Sequence, residues 1–269
     1  GLFGTHLNGR SLARKILRAG YYWITMEYDC FEHVKKCHKC QIHADRVSAP
    51  PSQLNVLSSP WPFSIWGMDM IGPIEPKASN GHRFILVAID YFSKWVEAAS
   101  YATVTGSVVS RFIKRDLICR YGIPSCIITD NGSNLNSKLI IDLCKEFKIE
   151  HHNSSPYRPK MNGAVEAANK NLKKIIRKMV VTYKDWHEKL PFALHGYRTT
   201  IRTSTGATPY SLVYGMEAVL PVEVEIPSLR VIAEAELDEA EWVKTRYEQL
   251  NLIEEKRLAA LCHGQLYQK

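Results

Sequence analysis

Three carboxylates of this 269-residue chain stand where an acid can do chemistry: Asp69 in "WGMDMIGPI", Asp130 in "TDNGSN" and Glu166 in "YRPKMNGAVEAANK". Asp69 lies within a predicted strand. Asp130 ends another, just before an Asn-Gly turn, and Glu166 opens a predicted helix. A carboxylate at a strand end projects into a cleft from a rigid base, which is where α/β sites form. Hard divalent cations such as Mg²⁺ take oxygen ligands and keep positions open for phosphate and water. Two such ions, roughly 3.5–4 Å apart, can hold the attacking and leaving oxygens of an in-line displacement. One aspartate bridging the ions, with each other acid holding one, completes such a site. Between Asp130 and Glu166 lie 35 residues. Singly, each acid has a structural reading: a buried hydrogen-bonded residue at Asp69, a turn cap at Asp130, a first-turn acid favoured by the helix dipole at Glu166. Asp90 and Glu97 are left outside the site; Asp90 precedes "YFSKW" and reads as a strand-end turn residue.

A second chemistry sits near the N-terminus. "CHKC" places Cys37 and Cys40 at C-x2-C spacing, with His6 31 positions before Cys37. A thiolate pair plus a distant imidazole suits Zn²⁺. His33, His38 and His43 are further imidazoles in the same segment. The alternative is a metal-free helical pair with two free thiols.

Cations surround the third acid. From about Met161 the chain reads as a helix with Val165, Ala168, Leu172, Ile175, Ile176 and Met179 on an apolar stripe. Glu166, Lys170, Lys173 and Arg177 cluster on another face at about 100° per residue. An acid heading a line of cations suits a metal site at one end and a phosphate backbone along the rest. The preceding "SSPYRPK" reads as a loop whose Tyr157, Arg158 and Lys160 face DNA ends. Lys114, Arg115 and Arg120 are weaker candidates for the same role. A charged helix face is otherwise a solvated one.

The elements that must position these residues follow from patterning. "FSIWGMDMIGPI", "HRFILVAIDYF" and "KWVEAASYA" read as three strands in an antiparallel meander. "GSVVSRFIKRDLICRYG" is an amphipathic helix stopped by Gly122, "SCIITDNG" a short buried strand, and "SKLIIDLCKEFKI" a helix. "EHHNSS" and the Glu166 helix follow. The order β-β-β-α-β-α-β-α predicts a mixed α/β sheet with helices on both faces. "DWHEKLPFALHGYRTT" is a further helix, "GATPYSLVYG" a compact turn-rich segment, 217–230 an extended stretch, and 231–262 one long charged helix. Upstream, "GRSLARKILRAG" and "DCFEHVKKCHKCQIHA" are short helices, and the Pro- and Ser-rich 47–62 is a linker.

Composition agrees with an acid-and-cation chemistry on a globular scaffold. Apolar residues make 45% and charged residues 23% of the chain, ordinary for a folded soluble protein. The net charge of +8 leans towards a polyanionic partner. No apolar run spans a membrane and no signal peptide is visible. Seven scattered cysteines do not resemble a secreted disulfide framework and point to a reducing, intracellular setting. The chain begins with Gly1 and is expected to be a piece of a longer polypeptide.

In order and context, the three acidic motifs resemble those of retroviral-type integrases, in particular those of plant gypsy-class LTR retrotransposon Pol polyproteins, across residues 1–269. The resemblance implies an RNase H-like core, Mg²⁺ or Mn²⁺ held by Asp69, Asp130 and Glu166, and 3′-end processing and strand transfer of element DNA into target DNA. It implies homo-oligomers on DNA, in the nucleus and cytoplasm. It implies an N-terminal His-His-Cys-Cys zinc site with His6 as the second histidine and Cys37 and Cys40 as thiolates, the first histidine lying upstream of Gly1. The expected domains are a zinc-binding segment over 1–46, a linker over 47–62, a catalytic core over 63–215, and an extended segment and linker helix over 216–269. Ala164 and Ala168 depart from the pattern, where family members often carry Gln and Thr. A cut-and-paste transposase with the same triad and a non-catalytic DNA-binding remnant are the alternatives.

Overall fold

A computed structural model describes residues 8–37, 59–153, 185–220, 223 and 228–267. The described residues group into two compact units, one over 59–198 and the other combining 8–37 with the segment from Thr199 onward.

The first unit is built on a five-stranded sheet: β1 (Ile65–Ile71), β2 (Phe84–Asp90), β3 (Val96–Tyr101), β4 (Cys126–Thr129) and β5 (Glu150–Asn153), in the order β3-β2-β1-β4-β5. β1, β2 and β3 form the expected antiparallel meander, with Met68 opposite Ala88 and Val87 opposite Ala98. β4 and β5 then run parallel to β1, pairing Met68 with Thr129 and Ile128 with His152. The continuous apolar run of β2 reflects burial on both faces: Ile85 to Ile89 are each no more than 1% exposed. Burying one such side chain contributes roughly 1.5–3 kcal/mol.

Strand alternation assigns each face its helices. Ile71, Ile85, Val87, Ile89 and Ile128 meet Trp186, Leu190, Leu194 and Tyr197 of α5 (Trp186–Arg198), whose buried positions recur at helical spacing. Trp66 points to the opposite face and meets the Tyr121 ring at 5.4 Å. Tyr121 ends α3, a helix over 106–121 capped by the Thr105 hydroxyl and stopped at Gly122. Its middle, Ile113–Ile118, is π-helical, which the sequence pattern did not predict. α4 (Lys138–Glu146) joins β4 to β5.

In the second unit α1 (Gly9–Arg18) is capped by Asn8, whose side chain accepts from Ser11 N at 2.8 Å. α2 (Met26–Lys36) packs on it through Ala13, Met26 and Cys30. The helices touch at Gly9, where a Cβ would lie 2.7 Å from the Phe31 ring. α2 starts three residues earlier than its predicted segment, and Cys37 is its C-cap.

Two expectations for this unit are corrected. "GATPYSLVYG" holds a true helix, α6 (Pro209–Tyr214), with Thr208 as N-cap, proline in the first turn and Gly215 left-handed after it. The single long C-terminal helix is three: α7 (Leu229–Glu236), α8 (Glu239–Asn251) and α9 (Ile253–Tyr267). Leu237 is extended, and the Asp238 carboxylate restarts the helix by accepting from Glu241 N at 2.8 Å. No helix among the described residues is long and apolar enough to cross a membrane.

Candidate active site

β1 carries the first predicted acid, and the loop that leaves β4 opens on the second. The register of these two strands ends at Met68 opposite Thr129. One step further along each chain stand Asp69, still within β1, and Asp130, the first residue past β4. Alternation puts both on the α5 face, beyond the edge of its apolar core, and both are partly exposed. Asp69 Oδ1 accepts from Met70 N at 2.6 Å.

Asp130 begins the loop that returns the chain to α4. Its Oδ1 accepts from Gly132 N at 2.9 Å, the Asx turn predicted for "DNG". A Cβ at Gly132 would sit 2.9 Å from the same oxygen and push the carboxylate aside. Asn136 donates from Nδ2 to the Asp130 carbonyl at 2.8 Å and to the Gly132 carbonyl at 3.0 Å. Thr129, 1% exposed, lies beneath. Its hydroxyl is 3.2 Å from Asn136 Oδ1, 2.9 Å from His151 Nε2 and 3.3 Å from Asn153 Oδ1. Burial, with His152 alongside, holds the His151 imidazole below its ordinary pKa. Asn136, Thr129 and His151 were not singled out from sequence; their link to Asp130 exists only once β5 lies beside β4.

The acids set aside from sequence are held differently. Asp90 is buried at the end of β2, where its carboxyl accepts from Phe63 N at 2.9 Å, Ser93 N at 2.7 Å and Ser93 Oγ at 2.6 Å. It is the strand-end turn residue expected, and burial raises its pKa against those bonds. Nearby, burial pushes the Lys94 amine down to about 8. Glu97, also buried, accepts from Trp95 Nε1 at 3.1 Å, from the Tyr121 hydroxyl, from Arg120 at 3.3 Å and from Arg198 at 2.8 Å. Arg198 further stacks over the Trp95 ring at 4.2 Å.

The same contacts redirect the weaker cation candidates. Arg115 forks onto Asp116, with Nη2 at 2.8 Å. Arg120 reaches Asp116 at 3.1 Å as well as Glu97, and Lys114 lies 3.8 Å from Glu146. Glu166, Tyr157, Arg158, Lys160, Lys170, Lys173 and Arg177 lie outside the described residues, as do His6 and Cys40. Cys37 is described and partly exposed. Among the described residues no three acidic, histidine or cysteine side chains converge into a metal-sized cluster.

Residues 60–159 match the family model described as the integrase core domain, a span that includes Asp69 and Asp130. The chain is 31% identical over 202 residues to the retrovirus-related Pol polyprotein from transposon 412 of Drosophila melanogaster, covering 75% of this chain and 16% of that protein. It is 30% identical over 215 residues to the Gag-Pol polyprotein of avian reticuloendotheliosis virus, covering 79% of this chain and 18% of that protein. The chain thus spans less than a fifth of the length of these relatives. A chain in the cryo-EM structure of the simian T-cell lymphotropic virus intasome in complex with PP2A regulatory subunit B56 gamma shares the fold, with a TM-score of 0.56 and 21% identity over 80% of this chain and 71% of that one. Residues 60–159, which hold all five strands of the sheet, thus match the integrase core domain, and the chain is similar to a segment of retrotransposon and retroviral Pol polyproteins.

Proposed function

We propose that this chain is the integrase of an LTR retroelement, of the gypsy class, and that it processes the 3′ ends of element DNA and joins them to target DNA. The observation that carries this reading is that Asp69 and Asp130 each follow the last paired residues, Met68 and Thr129, of two adjacent parallel strands. Partly exposed carboxylates on rigid neighbouring strands are a hard-oxygen donor set of the kind Mg²⁺ or Mn²⁺ takes, and Glu166 would complete it. Ions held there supply the activation of the attacking oxygen and the stabilisation of charge on the leaving one. The protein's own part is placement: β1 holds Asp69, and Asp130 opens the loop after β4, its Oδ1 held by the Gly132 N–H. In the first step water attacks a phosphodiester near the element's 3′ end and frees a 3′-hydroxyl. In the second that hydroxyl attacks a target phosphodiester and displaces a 3′-hydroxyl of the target strand. No covalent enzyme intermediate is required.

The partners that fit this reading are DNA and further copies of the chain. Tyr157, Arg158, Lys160, Lys170, Lys173 and Arg177 are the proposed phosphate and DNA-end contacts beside Glu166. Zn²⁺ on His6, Cys37 and Cys40 would order the segment that α2 leads into. The test is Mg²⁺-dependent strand transfer on a short duplex, run with this chain and with one extended at both ends. Asp130→Asn and Glu166→Gln should each lower transfer by at least about 10³-fold while the circular dichroism spectrum is kept. Wild-type transfer by either folded variant overturns the assignment.

A further inference from the structure

Asp130 is not part of β4; it is the first residue of a loop. A metal-binding carboxylate on a loop needs something to fix its backbone, and one side chain does so here. The Asn136 amide donates to both the Asp130 and the Gly132 carbonyls, at 2.8 and 3.0 Å. The backbone of residues 135 and 136 closes on the same Gly132 carbonyl, at 2.9 and 3.1 Å. The Asn136 side chain thus ties together the two ends of the three-residue turn whose Gly132 N–H holds Asp130 Oδ1.

Asn136 is itself oriented from below. Its Oδ1 lies 3.2 Å from the Thr129 hydroxyl, which also faces the amide oxygen of Asn153 at 3.3 Å and His151 Nε2 at 2.9 Å. A hydroxyl carries one proton and two acceptor lone pairs. Two amide oxygens already face that one proton, so the tautomer of His151 that carries hydrogen on Nε2 fits the hydroxyl as its donor. A proton on His151 Nε2, the Thr129 hydroxyl and the Asn136 amide then form one directed chain of hydrogen bonds from β5, across the last residue of β4, to the Asp130 loop. Such a connected network, centred on the buried Thr129, is rigid because each member fixes the next.

We propose that Asn136, oriented by Thr129 and the Nε2–H tautomer of His151, is a positioning residue for Asp130. It holds the carboxylate so that Oδ1 is tied to the turn and Oδ2, which accepts no hydrogen bond among the described residues, is presented to the cation. This rests on the reading of Asp130 as a metal ligand. Outer partners of metal ligands govern affinity without touching the ion, and their loss typically weakens it about 10–100-fold.

The test uses the full chain and Mn²⁺ alone, titrated by electron paramagnetic resonance, with the amide resonance of Gly132 followed in metal-free protein. Asn136→Ala should weaken Mn²⁺ binding about tenfold, shift the Gly132 amide, and leave the β2 amides unmoved. Thr129→Val should act in the same direction, and Thr129→Ser, which keeps the hydroxyl, should restore wild-type binding. If Asp130→Asn abolishes Mn²⁺ binding while Asn136→Ala and Thr129→Val bind as wild type does, the positioning role is overturned and the ligand reading stands. If Asp130→Asn binds Mn²⁺ as wild type does, the ligand reading falls, and the positioning role with it.

Discussion

Two pairs of acids occupy one sheet under opposite conditions. Asp90 and Glu97 are buried and surrounded by donors: three bonds reach the first, and four residues reach the second. Asp69 and Asp130 are partly exposed, and the Asp130 carboxylate takes one bond, from its own turn. A carboxylate whose lone pairs are filled by the protein holds the fold together and has nothing left for a cation. One whose outer oxygen is left unfilled contributes little to stability and can bind. Both kinds are Asp or Glu at strand positions in the sequence; their donors separate them.

That contrast can be broken most directly at Glu97. Its removal leaves Arg198, at the end of α5, without its carboxylate in a largely buried place. Breaking a buried pair at one partner costs about 3–5 kcal/mol, so Glu97→Ala should lower urea-unfolding stability by that order. A loss below about 1 kcal/mol would mean that the network is no more than a surface ion pair. The opposite pattern is expected at Gly132→Ala. Its Cβ would press on Asp130 Oδ1, so strand transfer should fall about 10–100-fold, with the urea midpoint nearly unchanged. A variant that instead unfolds easily while keeping its activity per folded molecule would erase the distinction.

The smallest effect concerns pH. Burial holds His151 and His82 below the ordinary imidazole pKa, each with a second imidazole adding to the effect. The unfolded chain therefore takes up protons first as pH falls. Stability from these groups is complete above about 6.5 and is lost as pH drops below it. Thermal unfolding at pH 7.5 and pH 5.0 should show a shallower acid loss for His151→Gln than for wild type. An unchanged acid loss would remove His151 from the account.

Much of the sheet was legible because its strands are dense in β-branched and apolar residues and bounded by Gly-Pro and Asn-Gly. The helix stops at Gly20 and Gly122 were legible for the same local reason. What was hidden depends on distance or on competition. Arg198 and Glu97 lie 101 residues apart, so no local window pairs them. The π-helical turn over Ile113–Ile118 leaves no mark on the apolar periodicity of its segment. The C-terminal break at Leu237 pits helix-forming Ala and Glu against an Asp that caps better than it continues. Within the site, the spacing of the acids and the turn at Asp130 could be read, whereas the Asn136 support could not, since β5 brings His151 beneath it only in the folded sheet.

The register between β1 and β4 also says which accidents of copying this domain can survive. The proximity of Asp69 and Asp130 is counted from Met68 opposite Thr129, not from the length of the connection between them. Residues added to the turns at Gly72–Arg83 or Gly122–Ser125 would lengthen the chain between the aspartates and leave the count intact. One residue lost inside Cys126–Thr129 would turn Asp130 to the other face of the sheet, since alternation reverses with every step. The domain therefore tolerates added residues in those two turns, yet the loss of a single residue from that one strand would separate the two acids.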